Sequence, residues 1–260
     1  MAKHKSSVLA FFIISTVFGV ILLSTLRTQS QGTAPIQQQQ KEPTARTRQP
    51  QSVDTSGFPI VDYLEAAPAD SKERARRKAK GEKYNRPEPA FAPHLVSVSD
   101  RYDWDENMPS LPVTESDAVI IGEVTSAEAY LSSDKTGIYS EFTIEICQIL
   151  KNDTNTPLKF PGSVLVERTG GRVRFPSGQV GVMYVSNLGM PRVGRKYVLF
   201  LSHNFPYQVR RVEDYRILTG YELLDGRVVP LESSGVVNFE AHRGKDEPTF
   251  LAELHAALNK

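Results

Sequence analysis

Residues 117–150 read DAVIIGEVTSAEAYLSSDKTGIYSEFTIEICQIL, and the fold is decided in this stretch. In its second half Ile138, Phe142, Ile144 and Ile146 fall on one face, broken by Ser140, while Tyr139, Glu141, Thr143, Glu145 and Cys147 fall on the other. Period two with β-branched and aromatic residues predicts a strand with one buried face. The first half carries an unalternating apolar run, Val119-Ile120-Ile121, followed by Gly122. Such a run predicts burial on both faces, and a glycine inside a strand marks a bulge or bend. A polar, Gly-containing link joins the two.

Further strand patterns follow at short intervals. Ser163–Arg168 puts Val164 and Val166 on one side, Thr169-Gly170-Gly171 turns the chain, and Arg172–Phe175 returns with Val173 and Phe175 inward. Gly-Gly between alternating runs predicts a hairpin. Its tip, Arg168, Arg172 and Arg174, is then exposed by alternation and is the candidate binding surface, with strand-edge protection as the competing role. Val180–Val185 and the continuous run Lys196–Leu201 read as strands, Tyr207–Leu218 alternates loosely, and Asp225-Gly226 is the strongest turn dipeptide in the chain. The tail is helical: Phe250, Leu251, Leu254, Ala257 and Leu258 repeat at three and four, with Asp246 as cap and Pro248 in the first turn. The fold class is mainly β, a barrel or sandwich over 113–260 with one C-terminal helix laid over one opening or face of it.

Upstream, residues 1–5 are a basic tail, and Ser6–Leu26 is a stretch of 21 residues without charge. At ~1.5 Å per residue it is long enough to cross a hydrocarbon core of about 30 Å. It reads as a transmembrane anchor, with a cleaved signal and secretion as the alternative. A short basic tail before an early span keeps that tail in the cytoplasm and exports the rest. Residues 27–56, with a four-Gln tract and scattered prolines, read as a disordered linker. Residues 57–112 form a weakly structured region in which Phe58–Leu64 is a short element suited to docking on the later domain. Within it Ala67–Lys83 is a basic helix capped by Asp70 or Ser71, without an apolar stripe and so unable to bury a face. It reads as a solvated helix or disordered run, or as a contact for an anionic surface.

The composition narrows the chemistry. A net charge of +1 supplies no global field for nucleic acid, and no aromatic residues interleave the basic cluster. A single cysteine, Cys147, excludes an intrachain disulfide and a multi-thiolate zinc site, and reads as a small half-buried strand residue. The five histidines lack metal-ligand spacing. Asp103, Asp105 and Asn107 open like a calcium loop, but Met108 and Thr114 stand where glycine and a bidentate glutamate are required, so Tyr102 and Trp104 are expected to pack on the barrel instead. No G-x-S-x-G occurs, and Ser202-His203 with Asp214 is a poor triad because adjacent strand residues face opposite ways. No cofactor is expected.

Ser116–Val124, Tyr139–Ile144 with Leu150-Lys151-Asn152, and Gly194–Leu201 together resemble the first strands of the netrin-like module, which includes the tissue inhibitors of metalloproteinases. The resemblance implies an OB-type barrel with a flanking helix. Those inhibitors hold the protease metal through an amino-terminal cysteine and carry disulfides, and this chain has neither, so the resemblance speaks for fold and not for inhibition. The expected function is a non-enzymatic, membrane-tethered extracytoplasmic binding or scaffolding module whose partner is a protein or an anionic envelope polymer. An envelope hydrolase assembled only in three dimensions and a protease-inhibitor-like module are the alternatives.

Overall fold

The chain is described by a computed structural model over residues 54–93, 96–99, 108–204, 211–232 and 237–260. The expected membrane span, most of the linker, and Tyr102, Asp103, Trp104, Asp105 and Asn107 lie outside the described residues. Among those described, no helix is long and apolar enough to cross a membrane.

In chain order the elements are β1 (Ile60–Asp62), α1 (Ser71–Glu82), β2 (Val96–Ser99), β3 (Ala118–Leu131), β4 (Ile138–Lys151), β5 (Ser163–Thr169), β6 (Gly171–Arg174), β7 (Val180–Val185), β8 (Lys196–Asn204), β9 (Arg211–Leu224), β10 (Arg227–Pro230), α2 (Val237–Glu240) and α3 (Glu247–Leu258). The protein is mainly β. Five strands in the order β3-β4-β5-β9-β8 close into a barrel because β8 pairs with both β9 and β3, and β10 extends β9. All contacts around the ring are antiparallel except the short β5–β9 seam, where Val166 meets Tyr215 and Glu167 meets Arg216. A second sheet, β1-β6-β7-β2, is built on the antiparallel β6–β7 pair, to which β1 and β2 add in parallel at opposite edges.

The hydropathy pattern explains the layers. Ile120, Phe142, Ile144, Val164, Val166, Leu199 and Ile217 fill the barrel. On the other side of the same strands, Val119, Ile121, Val198, Phe200 and Tyr221 pack beneath Phe239 of α2 and Phe250 and Leu254 of α3. The unalternating runs at Val119 and Lys196–Leu201 are therefore buried from both sides. Asp246 caps α3 through a hydrogen bond from Thr249 N at 3.0 Å. Asp225 and Gly226 take φ of 51° and 73°, the pair of positive angles a type I′ hairpin needs between β9 and β10.

Gly122 is a bulge position, with the β3–β4 register shifting between Ile121 and Gly122. A Cβ there would stand 2.4 Å from Ile144 Cγ2 and 2.8 Å from Glu145 O. Gly122→Ala should therefore cost about 1–3 kcal/mol by overpacking, read as a lower denaturation midpoint with an unchanged slope.

Two expectations are corrected. Gly170-Gly171 does not turn a hairpin: β5 stays in the barrel while β6 pairs with β1 and β7. Gly170 has φ 109°, and a Cβ on Gly171 would come within 2.8 Å of Ile138 Cγ2, so the two glycines pass the chain closely over β4 from one sheet to the other. Cys147 is exposed, not half-buried.

Candidate functional site

The outer face of the barrel beside the β3–β4 hairpin carries polar side chains instead of an apolar layer. Glu141 and Glu167 stand directly opposite each other on β4 and β5, Tyr130 and Tyr139 are opposed on β3 and β4, and Asp214 lies on β9. Helix α1 covers this face. Asp70 caps it by accepting from Lys72 N, and Glu73 in its first turn is drawn down to about 2 by hydrogen bonds from Arg76 and Arg77.

Lys80 is the centre of the contact. It is 3% exposed, and its ammonium lies 2.6 Å from Glu141, 2.7 Å from Asp214 and 3.6 Å from Glu167. Burial opposes the charge, but the hydrogen bonds to Asp214 and Glu141 outweigh it and raise the proton affinity of Lys80. Arg76 reaches Glu141 at 3.6 Å, and the Arg77 guanidinium lies 4.5 Å from the Tyr130 ring centroid. Tyr84 stacks on Tyr139 at 4.5 Å. Tyr130 donates to Glu128, and burial together with that bond raises its proton affinity. The helix expected to bury no face does so without an apolar stripe, by turning its cations onto barrel acids.

Glu167 is fully buried, and desolvation, helped by nearby Asp214, raises its pKa despite Lys83 and Lys80. A carboxyl whose folded value is raised adds stability below its unfolded value and loses it as pH rises through the folded one. Glu167→Gln should therefore raise the melting midpoint at pH 7.5 by about 2–4 °C, with the gain shrinking as pH falls toward 4.5. An equal gain at both pH values would contradict this.

The three arginines expected on a hairpin tip separate. Arg168 is 1% exposed and pairs with the buried Glu232 at 2.7 Å. Arg172 is half-buried and donates from Nε to Phe58 O at 2.9 Å, holding the segment that leads into β1. Arg174 alone is exposed, facing Asp62 at 3.3 Å. Arg168 lies on the face of β5 that carries Val164 and Val166, so alternation turns it inward. The arginines do not form one surface.

Ser202, His203 and Asp214 also part: Asp214 serves Lys80, while Ser202 Oγ and His203 N donate to Asp117. His203 is buried against Tyr215, and its Nε2 meets Thr156 Oγ1 at 3.0 Å and Asp153 Oδ2 at 3.2 Å. This pins the 152–156 loop to the barrel. Among the described residues no group of His, Cys, Asp and Glu could hold a metal. The residues missed in the sequence, Lys80, Glu141, Glu167 and Glu232, are charged side chains at positions that read as solvated; the available hint was the acid-aromatic run Tyr139–Glu141.

Comparison with protein-family models, curated proteins and solved structures finds no match, so the functional reading rests on this geometry.

Proposed function

We propose that the chain is a membrane-tethered extracytoplasmic binding or scaffolding module on an OB-like, netrin-like barrel, with no catalytic role. The wiring supports the fold: the first, second, third, fifth and fourth barrel strands follow one another around the ring, as in a five-stranded Greek-key barrel of OB type. The β6–β7 pair stands between the third and fourth barrel strands. The observation that carries the binding reading is the acid-and-aromatic face under α1, a place on the barrel where charge complementarity already recruits a separate segment. The tether is read from the 21 uncharged residues Ser6–Leu26 and the polar stretch after them.

A hydrolase built on His203 would take Thr156, 3.0 Å from its Nε2, as the nucleophile. Thr156 Oγ1 instead donates to Asp153 at 2.6 Å, and that carboxylate sits on Nε2 rather than on the ring nitrogen an orienting acid should hold. The arrangement fixes a loop better than it activates a nucleophile.

The test is fractionation with protease shaving of a C-terminally tagged full chain. The tag should stay with membranes through alkaline carbonate and be digested from outside the intact cell. Recovery in the soluble cytosolic fraction overturns the tether, and protection from external protease overturns the topology.

A further inference from the structure

The charge along the chain is divided unevenly. The total is +1, of which residues 1–53 contribute +5 and residues 71–83 another +5, leaving −9 on the remainder. The most basic helix therefore belongs to a strongly acidic domain and turns part of its charge onto it: Lys80 and Arg76 reach barrel acids and Arg77 reaches Tyr130 and Glu65, while Arg76 and Arg77 also pair with Glu73 of the helix itself.

The way α1 is held differs from the way the rest of the molecule is held. Its buried residues are Lys80 and Gly81, with no large apolar side chain among them. The segments on either side are fixed independently. Before it, β1 is hydrogen-bonded into the second sheet. After it, Asn85 Oδ1 accepts from Ser133 Oγ and Asp134 N, Arg86 N donates to Thr136 Oγ1, and Ala90 N donates to Thr136 O. An element joined to its support by ion pairs, between two anchored ends, opens more readily than a packed core. Three carboxylates converge on the Lys80 ammonium, with Arg76 also reaching Glu141 at 3.6 Å, and Glu167, at 3.6 Å, takes no hydrogen bond from Lys80.

We propose that α1 is a displaceable latch over a partner-binding face, and that the partner it imitates is a lysine- and arginine-rich helical segment of another protein. The cation of that segment takes the place of Lys80 among Glu141, Glu167 and Asp214, and a neighbouring arginine takes the place of Arg77 over Tyr130. What the opened face takes rests on the binding-module reading; the opening itself does not.

The experiment is hydrogen exchange on the full chain in detergent or nanodiscs, wild type and Lys80→Gln. In the wild type, α1 amides should exchange through an opening that leaves Ile120, Ile144 and Leu199 protected. Lys80→Gln should speed α1 exchange on the order of a hundredfold with the barrel unchanged. A peptide of residues 70–85 should then bind the variant saturably and slow exchange in β4 and β5, whereas the same peptide carrying Lys80→Gln should not. Wild-type α1 amides exchanging only as fast as the barrel core overturn the latch, and this result needs no variant. Opening without binding of the peptide overturns the partner class and leaves the tether untouched.

Discussion

Arg168→Met should destabilise the domain by about 3–5 kcal/mol, because it strands a buried carboxylate. Glu232 is 1% exposed and takes hydrogen bonds from Arg168 Nη2 and from Thr219 Oγ1. Burial alone raises the Glu232 pKa, and Arg168 is the cation opposing that shift. Without it, Glu232 must take up a proton on folding. The penalty is then largest at neutral pH and shrinks toward the ordinary glutamate range, since a raised carboxyl adds stability only below its folded value. The wild-type pair is itself imperfect: among the described residues Arg168 Nε and Nη1 find no hydrogen-bond partner, and desolvation lowers the arginine's proton affinity. Arg168→Met combined with Glu232→Gln keeps an acceptor for Thr219, removes both charges, and should recover most of the loss. Urea denaturation at pH 5 and 7.5 of both single variants and the double one reads all three claims. A double variant no more stable than Arg168→Met would show that the arginine stabilises by packing rather than by charge.

Two kinds of residue separate what was legible in the sequence from what was not. Gly122, Asp225-Gly226 and the alternation of Ile144 and Ile146 are local signals whose meaning depends on backbone geometry, and the bulge, the type I′ turn and the barrel wall follow from them. The C-terminal helix was legible for the same reason, since a cap and an apolar repeat are both short-range. Arg168 and Lys80 illustrate the opposite case. A charged residue on a strand or polar helix reads as solvated unless its partner is known, and their partners lie 64 and 61 residues away. Gly170-Gly171 failed differently. Two glycines permit a tight turn and equally permit a close crossing, and only the identity of the paired strands, β6 with β1 and β7, decides between them.

Phe250→Ala should cost about 3–5 kcal/mol, comparable to breaking the buried ion pair but by a wholly apolar route. Phe250 is fully buried and lies 4.8 Å from the Tyr221 ring and 5.4 Å from that of His242. With Leu254 it supplies the buried contacts of α3, a helix whose remaining side chains face solvent or are only partly covered. A twelve-residue helix is marginal in isolation, so α3 depends on those two anchors and not on its own propensity. Its loosening would uncover Val119, Ile121, Val198 and Phe200, the outward side of strands that are also buried within. The variant should therefore bind an apolar dye before the barrel unfolds, and proteolysis should clip it after Asp246 while leaving β3–β9 intact. Leu254→Ala should reproduce the pattern at a cost of about 2–5 kcal/mol. A Phe250→Ala protein that loses stability without dye binding or early clipping would mean that the barrel and α3 unfold as one unit, and that the layer over β3, β8 and β9 is as integral to the domain as its interior.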